Sequence, residues 1–457
     1  MGVRQSFITD FQHHSFNKVY MRCIIGIIFF SFFFLPVKSQ IADSIVVELK
    51  AINKSVFDVP CSSDNGRVIS NRAMNIFLAD KTGYLSESND LSLYTNYVTL
   101  NTAEGKLTIN HNFQKATGID EPIKKLLSIG VSANVANSFA ATFLDKKFEN
   151  ELGFTVNYKW LHKVKTHFWG CSQKQAMDVF RAAIVHSLEI EMNKKAADFL
   201  NAIDKTDTAE IPGQNMAVAK SLAVQNFYNE LKETYEERFA TLQAEKLTQT
   251  NNFKLVSTGW TSVAIYIPLI FPPYTIASTV ATPFSEQHPY PLKFTVQHTR
   301  LWESSKNGRL FFTVGGNLLF NNTKLSYALD KIDIATYKNL GGTDTIRLAQ
   351  LNNNKVYIGN YSTFITPALT GRLVYYPPAS HIGVSFLMEQ NFGKYNLLNG
   401  RLGIPIVLIN RKKTPAANVE FYIHFFDMNH SISQDKKYGN NTSVGLGIGI
   451  PFSRLMY

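Results

Sequence analysis

The chain has 457 residues, a formal net charge of +11 and 45% hydrophobic residues. No run of eighteen apolar residues follows Leu35, which excludes membrane-spanning helices from the rest of the chain. The positive charge does not indicate nucleic-acid binding, because the one run of three basic residues, Arg411-Lys412-Lys413, falls at a predicted turn between two strands.

The N-terminus is typical of a secretory signal. Met21-Arg22 precedes the apolar run Cys23–Leu35, and Val37 and Ser39 occupy the positions that a signal peptidase reads. We therefore predict that residues 1–39 are an N-terminal extension plus a signal peptide cleaved after Ser39. The chain could equally start at Met21.

Two cysteines remain beyond the predicted cleavage site, Cys61 and Cys171. Two cysteines are too few for a disulfide framework, and the sequence leaves open whether they pair or stay free.

Residues 40–90 carry no clear pattern. Ile45–Leu49 and Val68–Leu78 fit short strands, so this part is predicted to be an N-terminal periplasmic segment or the first strands of the fold.

From Tyr94 onward, apolar and polar residues alternate strand after strand. In Leu152–Trp160 every even position is large and apolar, and every odd position is glycine or polar. Many such strands, with small or polar residues on one face and aromatic-rich apolar residues on the other, predict an all-β membrane barrel spanning 91–457. A secreted β-sandwich is the rival fold.

We count about twelve antiparallel strands: Tyr94–Asn101, Leu107–Phe113, Leu127–Phe143, Leu152–Val164, Phe253–Ile270, Leu292–Trp302, Leu310–Tyr327, Lys355–Tyr376, Ile382–Gln390, Leu398–Asn410, Val419–Met428 and Val444–Phe452.

An α-helical hairpin interrupts the strands at 173–247. Apolar residues recur every three to four positions from Gln173 to Ile203 and again from Val224 to Leu242, and Pro212-Gly213 breaks the chain between them. The hairpin is predicted to be a structural insertion whose apolar stripes bury each other. The functional alternatives are a plug, a lid or a docking surface for a periplasmic partner.

Connection lengths orient the predicted barrel. If the last strand ends in the periplasm, the short connections Ser304–Gly308, Pro377–Ser380 and Arg411–Pro415 are periplasmic, as such turns should be. By the same parity the helical hairpin is periplasmic.

The alternation also assigns faces. Apolar side chains such as Phe294, Val384, Leu402 and Phe421 should face lipid, and their neighbours should point into the lumen. These inward charges either pair across the lumen and block it or, being mostly cationic, favour anionic solutes. The candidate lumen-lining residues are Lys159, Lys293, Arg372, Glu389, Arg401, Glu420 and His424.

No catalytic, cofactor or metal site is predicted. His111, His298 and His424 lie on strands, and Ser257, Ser262, Ser326 and Ser385 offer hydroxyls, but none forms a recognisable local motif. A lipid-acting hydrolase is therefore a minor alternative.

With its signal peptide, repeated alternating strands and aromatic-rich last strand, the chain resembles Gram-negative outer-membrane β-barrel proteins as a class. The resemblance implies the outer membrane as location, with membrane lipid and the barrel-assembly machinery as partners. Proteins of this class usually end on an aromatic residue in phase with the lipid face of the last strand. Here Phe452 is the last residue in that phase and the terminal Tyr457 is out of phase, so the chain departs from the pattern.

The leading functional hypothesis is a porin-like channel or binder for small solutes. The second is a non-conducting envelope anchor that acts through the hairpin.

Overall fold

The structure, a computed structural model, describes residues 40–57, 68–85, 95–101, 106–113, 120–134, 143–144, 147–148, 151–205, 216–251, 253–271, 273–326, 328–339, 348–411, 415–432 and 442–454. The described helices are α1 (Gln40–Phe57), α2 (Asn71–Thr82), α3 (Cys171–Lys205) and α4 (Met216–Thr250). The described strands are β1 (Thr95–Asn101), β2 (Lys106–Phe113), β3 (Lys125–Asn134), β4 (Phe143–Leu144), β5 (Lys147–Phe148), β6 (Leu152–Leu161), β7 (Lys165–His167), β8 (Leu255–Ile270), β9 (Tyr274–Ala277), β10 (Ser285–Gln287), β11 (Lys293–Ser304), β12 (Gly308–Asn322), β13 (Asp330–Asn339), β14 (Leu348–Ile358), β15 (Thr363–Tyr376), β16 (Val384–Asn391), β17 (Leu398–Ile409), β18 (Pro415–Phe425) and β19 (Thr442–Arg454).

Twelve strands close into an antiparallel barrel in the order β1-β2-β3-β6-β8-β11-β12-β15-β16-β17-β18-β19. β19 pairs with β1, and β8 pairs with β11, so every strand in the ring has two neighbours. The short strand β7 adds to β8 outside the ring. The predicted fold class is confirmed, and each strand of the ring overlaps one of the twelve predicted strands.

The two faces of the wall differ as the alternation predicts. Apolar side chains point outward, and those of Phe294, Val384, Leu402 and Phe421 are 39–58% exposed. Their neighbours in sequence point inward and are buried or half-buried. A closed ring with an apolar outer face and polar inner side chains is the architecture of a membrane β-barrel.

The connections at the two ends of the barrel differ in length. At one end β11, β15 and β17 lead to the next barrel strand through residues 305–307, 377–383 and 410–414. We call this the short-turn end, and the chain also leaves the wall here after Leu161 and rejoins it at Leu255. At the other end the connections 271–292, 323–362 and 426–441 are longer. Two of them carry β9, β10, β13 and β14, which form a separate four-stranded sheet.

The structure corrects two sequence-based predictions about strands. The interpretation of Ile45–Leu49 and Val68–Leu78 as strands is wrong, since these residues belong largely to α1 and α2. The long predicted strand Lys355–Tyr376 is divided between β14 and β15. Gly359, with φ of 132°, lies at the break, and this backbone conformation favours glycine.

The chain forms two compact units. One contains α1 and Val179–Phe239, and the other contains the barrel, α2, the start of α3 up to Asp178 and the end of α4 from Ala240. The first unit is a three-helix assembly. Phe199 of α3 stacks on Phe227 of α4 at 3.8 Å between ring centroids. On the α1 side, Lys232 of α4 hydrogen-bonds Glu48 at 3.0 Å. The third helix, α1, was not predicted.

Cys171 is disulfide-bonded, which resolves the alternative left open by the sequence in favour of a bridge. Cys61 lies outside the described residues. Among the helices that the structure describes, none is long and apolar enough to cross a membrane.

Candidate functional site

Helix α2 is an interior helix of the barrel unit. Ten of its twelve residues are buried, including Ile76, Phe77 and Leu78. The Ser70 side chain caps its N-terminus by accepting a hydrogen bond from the Ala73 amide at 3.2 Å. A helix buried on all sides needs protein around it. At the start of α2, Gln243 of α4 accepts a hydrogen bond from the Ser70 amide at 3.1 Å, and Asp120 accepts one from the Asn71 amide at 3.0 Å.

α2 and the residues that follow it contact inward-facing side chains from widely separated strands. Lys81 pairs with Glu303 of β11 at 3.3 Å. The Tyr376 hydroxyl of β15 donates to the Tyr84 carbonyl at 2.6 Å. Asn418 of β18 donates to the Gly83 and Leu85 carbonyls. Four strands of the ring separate β11 from β18 in one direction and six in the other. The C-terminal end of α2 and the residues after it therefore lie on the inner side of the ring at the short-turn end.

A buried charge cluster fixes the C-terminal end of α2. Glu303 accepts hydrogen bonds from Arg309 Nε and, at 3.1 Å, from Arg309 Nη2. The same carboxylate pairs with Lys81, so one anion lies between two cations. The Arg309 guanidinium also lies 3.7 Å from the centroid of the Tyr84 ring. Removing the carboxylate would leave two buried cations uncompensated.

Tyr84 links this cluster to the turn between β15 and β16. Its hydroxyl lies 3.0 Å from His381 Nδ1. Burial and the nearby cations Arg309 and Lys81 hold the pKa of His381 below its usual range. A cavity of about 430 Å³ lies beside the cluster, lined by Lys81, Tyr84, Arg309, Ser305, Pro378 and His381 among others.

A second polar cluster lies on the inner face of β15 to β18. Arg372 Nη2 pairs with Glu420 Oε2 at 3.3 Å, and the Ser385 hydroxyl binds the other oxygen of the same carboxylate. A Cβ at Gly403 would lie 2.5 Å from both Glu420 Oε1 and Ser385 Oγ. Glycine at position 403 therefore lets the Glu420 side chain pass along the wall to reach β16 and β15.

Arg401 and Tyr422 continue the inner face next to this cluster. The Arg401 guanidinium lies 4.7 Å from the centroid of the Tyr422 ring. The Tyr422 hydroxyl donates to Asn101 Oδ1 of β1 at 2.7 Å. A Cβ at Gly445 would meet the same ring, so this glycine leaves room for it.

The candidate lumen-lining residues all lie on barrel strands. Lys159, Arg372, Arg401 and Glu420 are at most 9% exposed. The remaining three, Lys293, Glu389 and His424, are half-buried. The structure brings Arg372 and Glu420 into contact and places Arg401 directly opposite His424 on the next strand.

Sequence reasoning missed the residues that hold α2. Tyr376 is an aromatic residue near a strand end, and its sequence position alone predicts a place in the outward aromatic girdle at the membrane interface. In the structure it points inward and is 1% exposed. Glu303 and Arg309 were not singled out. The alternation of the two strands could have identified them: Glu303 and Arg309 both occupy inward-facing positions, on either side of the short turn 305–307.

The histidines and serines considered for hydrolysis are dispersed. Ser385 binds Glu420, and His298 Nδ1 contacts the Thr261 hydroxyl at 3.0 Å on the outer face of the wall. Within the described ranges no group of three potential metal ligands occurs.

Several solved structures resemble the chain at low sequence identity. The KdgM porin is 6% identical, with a TM-score of 0.27 and coverage of 79% of this chain and 98% of that chain. The NanC porin is 6% identical, with a TM-score of 0.26 and coverage of 79% and 99%. The translocator domain of the autotransporter NalP from Neisseria meningitidis is 9% identical, with a TM-score of 0.22 and coverage of 90% and 96%. No protein-family model matches the sequence, and no curated protein matches it.

Proposed function

We propose that the protein is an outer-membrane β-barrel whose lumen is closed at the short-turn end by α2, and that a small solute passes only when α2 moves. The observation that carries this proposal is the contact of α2 and its C-terminal extension with inward side chains of β11, β15 and β18. The apolar outer wall and the expected signal peptide support the membrane location.

The short-turn end is the periplasmic end in this proposal. Short connections in bacterial barrels lie on the periplasmic side, and long connections lie outside the cell. Closure by α2 would then be released from the periplasm. A periplasmic ligand or a change of pH that moves α2 would act on the cluster of Lys81, Glu303 and Arg309 or on the turn that carries His381.

The inner side chains favour anionic solutes once α2 has moved. Lys159, Lys293, Arg372 and Arg401 supply positive charge, and Glu389 and Glu420 supply negative charge. Cations outnumber anions by four to two among these side chains, which favours anionic solutes.

Liposome swelling tests the proposal with a matched pair of variants. Phe77 packs edge-to-face on Phe253 at 5.6 Å, so Phe77→Asp should displace α2, whereas Phe77→Leu should keep it in place. We expect wild type and Phe77→Leu to exclude gluconate and arabinose, and Phe77→Asp to admit gluconate faster. Heat-modifiable migration on gels verifies that each barrel has folded. A folded Phe77→Asp variant that excludes gluconate as completely as wild type does would contradict the proposal.

The second candidate is a non-conducting anchor that acts through the helical unit. Val47, Val179, Ile190 and Leu222 on its helices are each at least 60% exposed, as a docking surface for a periplasmic partner would require. A barrel that stays closed after α2 is displaced would favour this candidate. We propose no catalytic role for either form.

A further inference from the structure

The outer wall of the barrel carries basic and histidine side chains on one side, and we propose that they bind the phosphate of a phospholipid headgroup. The inference rests on the proposed membrane location. We call the cluster the basic wall patch. It consists of Lys125, His162, Lys165, His298 and Arg300.

The patch faces outward. On β11, His298 and Arg300 alternate with Thr299 and Leu301, which are buried on the inner face. On β6, Lys159 is fully buried, and Trp160 is 41% exposed on the opposite face. His162 follows β6 with the same outward parity and is exposed.

Strand pairing brings the members together. Lys125, Trp160, Thr261 and His298 lie directly opposite one another across β3, β6, β8 and β11. Lys165 of β7 pairs with Ser257, which is also the partner of Trp302.

The two histidines are held in place by one threonine. The Thr261 hydroxyl lies 3.1 Å from His162 Nε2 and 3.0 Å from His298 Nδ1. The imidazole rings are 5.2 Å apart in an edge-to-face arrangement. Two imidazoles therefore lie next to each other on the outer face of the wall, where each ring adds hydrogen-bonding nitrogens to the patch.

Arg300 lies flat against the wall beside them. A Cβ at Gly259, its partner on β8, would come within 2.7 Å of Arg300 Cδ. Glycine at this position therefore lets the Arg300 stem cover the strand. A guanidinium next to imidazoles suits the several oxygens of a phosphate, which it can bind through two hydrogen bonds.

The patch lies at the depth where headgroups are expected. Arg300 is four residues from Ser304, where β11 ends at the short-turn end. Trp169 lies at the same rim and is 46% exposed. The centroid of its ring is 4.1 Å from Lys306 Nζ and 5.6 Å from Lys254 Nζ. Tryptophan and lysine together are typical of the membrane interface.

On the opposite side of the barrel, the described residues form no such patch. The outward residues described on β17 and β18 include Leu402, Ile404, Leu408, Phe421 and Ile423, all apolar. The acidic residue of β11, Glu303, points inward and forms ion pairs with Lys81 and Arg309. The charged outward side chain of β11 is therefore basic, and its complement is an anion at the membrane surface.

Native mass spectrometry of the full-length protein in detergent tests the proposal. The probes are phosphatidylglycerol, diacylglycerol of the same chains, and inorganic phosphate. We expect wild type to retain phosphatidylglycerol and not diacylglycerol, and Arg300→Gln to weaken its retention about tenfold. Arg411→Gln, which changes an exposed arginine at another turn, should bind like wild type.

Equal retention by Arg300→Gln and wild type, or equal binding of the two lipids, would overturn the inference. Binding of inorganic phosphate without preference for the lipid would also overturn it. The measurement uses folded barrels only, so these outcomes are separate from the swelling result, which reports on α2.

Discussion

Lys81 on the internal helix and Glu303 on the barrel wall form an ion pair 3.3 Å long, and both side chains are about 10% exposed. Glu303 also binds Arg309, its direct neighbour across the β11–β12 pair. A helix that precedes the barrel in sequence is thus fastened to a strand near the middle of the chain. The strength of that attachment can be measured.

Replacing Glu303 with glutamine should destabilise the protein by about 3 kcal/mol or more, because Lys81 and Arg309 would remain buried without their anion. The free energy of unfolding by urea in detergent micelles measures this loss. Glu286→Gln, at an exposed position, should change it by less than about 0.5 kcal/mol. Equal stability of the two variants would contradict the role given to Glu303.

Acidification should weaken the attachment of the residues after α2. The pKa of His381 is lowered in the folded protein, so the unfolded chain takes up a proton first as the pH falls. The stabilisation present above pH about 6.5 is then lost as the pH falls towards the folded pKa. The midpoint of heat-induced loss of the compact gel band, measured from pH 8 to 5, reports this change. His381→Gln should flatten the profile, and an unchanged profile would argue against His381.

Removing the disulfide should also destabilise the barrel unit. Cys23 precedes the expected cleavage site, so we expect Cys61 to be the partner of Cys171. Cys171→Ser and Cys61→Ser should each lower the free energy of unfolding by about 2–5 kcal/mol and give the same mobility on non-reducing gels. Different mobilities for the two variants would show that Cys171 pairs elsewhere.

Adding a methyl group at Gly403 should disrupt the inner polar cluster. The new Cβ would collide with the Glu420 carboxylate and the Ser385 hydroxyl, so Gly403→Ala should cost about 1–3 kcal/mol of stability. Gly371→Ala is the matched control, since a Cβ there meets nothing within 4 Å. Urea unfolding of the two variants separates the outcomes. Equal stability would mean that Glu420 does not depend on Gly403.

Most of the wall could be predicted from the sequence, because a strand exposed to two different environments alternates with a period of two. That pattern identified the twelve strands and the opposite faces of Leu402 and Arg401. Helix α2 could not be recognised in the same way. Ala73, Met74, Ile76, Phe77, Leu78 and Ala79 cover its whole circumference, so it has no apolar stripe of helical period.

The contacts of α2 could not be predicted either. Lys81, Glu303 and Tyr376 are far apart in sequence and come together only because the strands that carry Glu303 and Tyr376 belong to one closed ring. The alternation along β15 places Tyr376 on the inward face. Its aromatic side chain near a strand end, however, also fits the outward aromatic girdle at the membrane interface.

Single-channel recording in planar bilayers tests the central claim, closure of the lumen by α2, most directly. Refolded wild type and Phe77→Leu should show no stepwise conductance, and Phe77→Asp should open discrete channels that pass anions in preference to cations. Steady stepwise conductance by wild type, or a folded Phe77→Asp variant that never opens, would contradict the account.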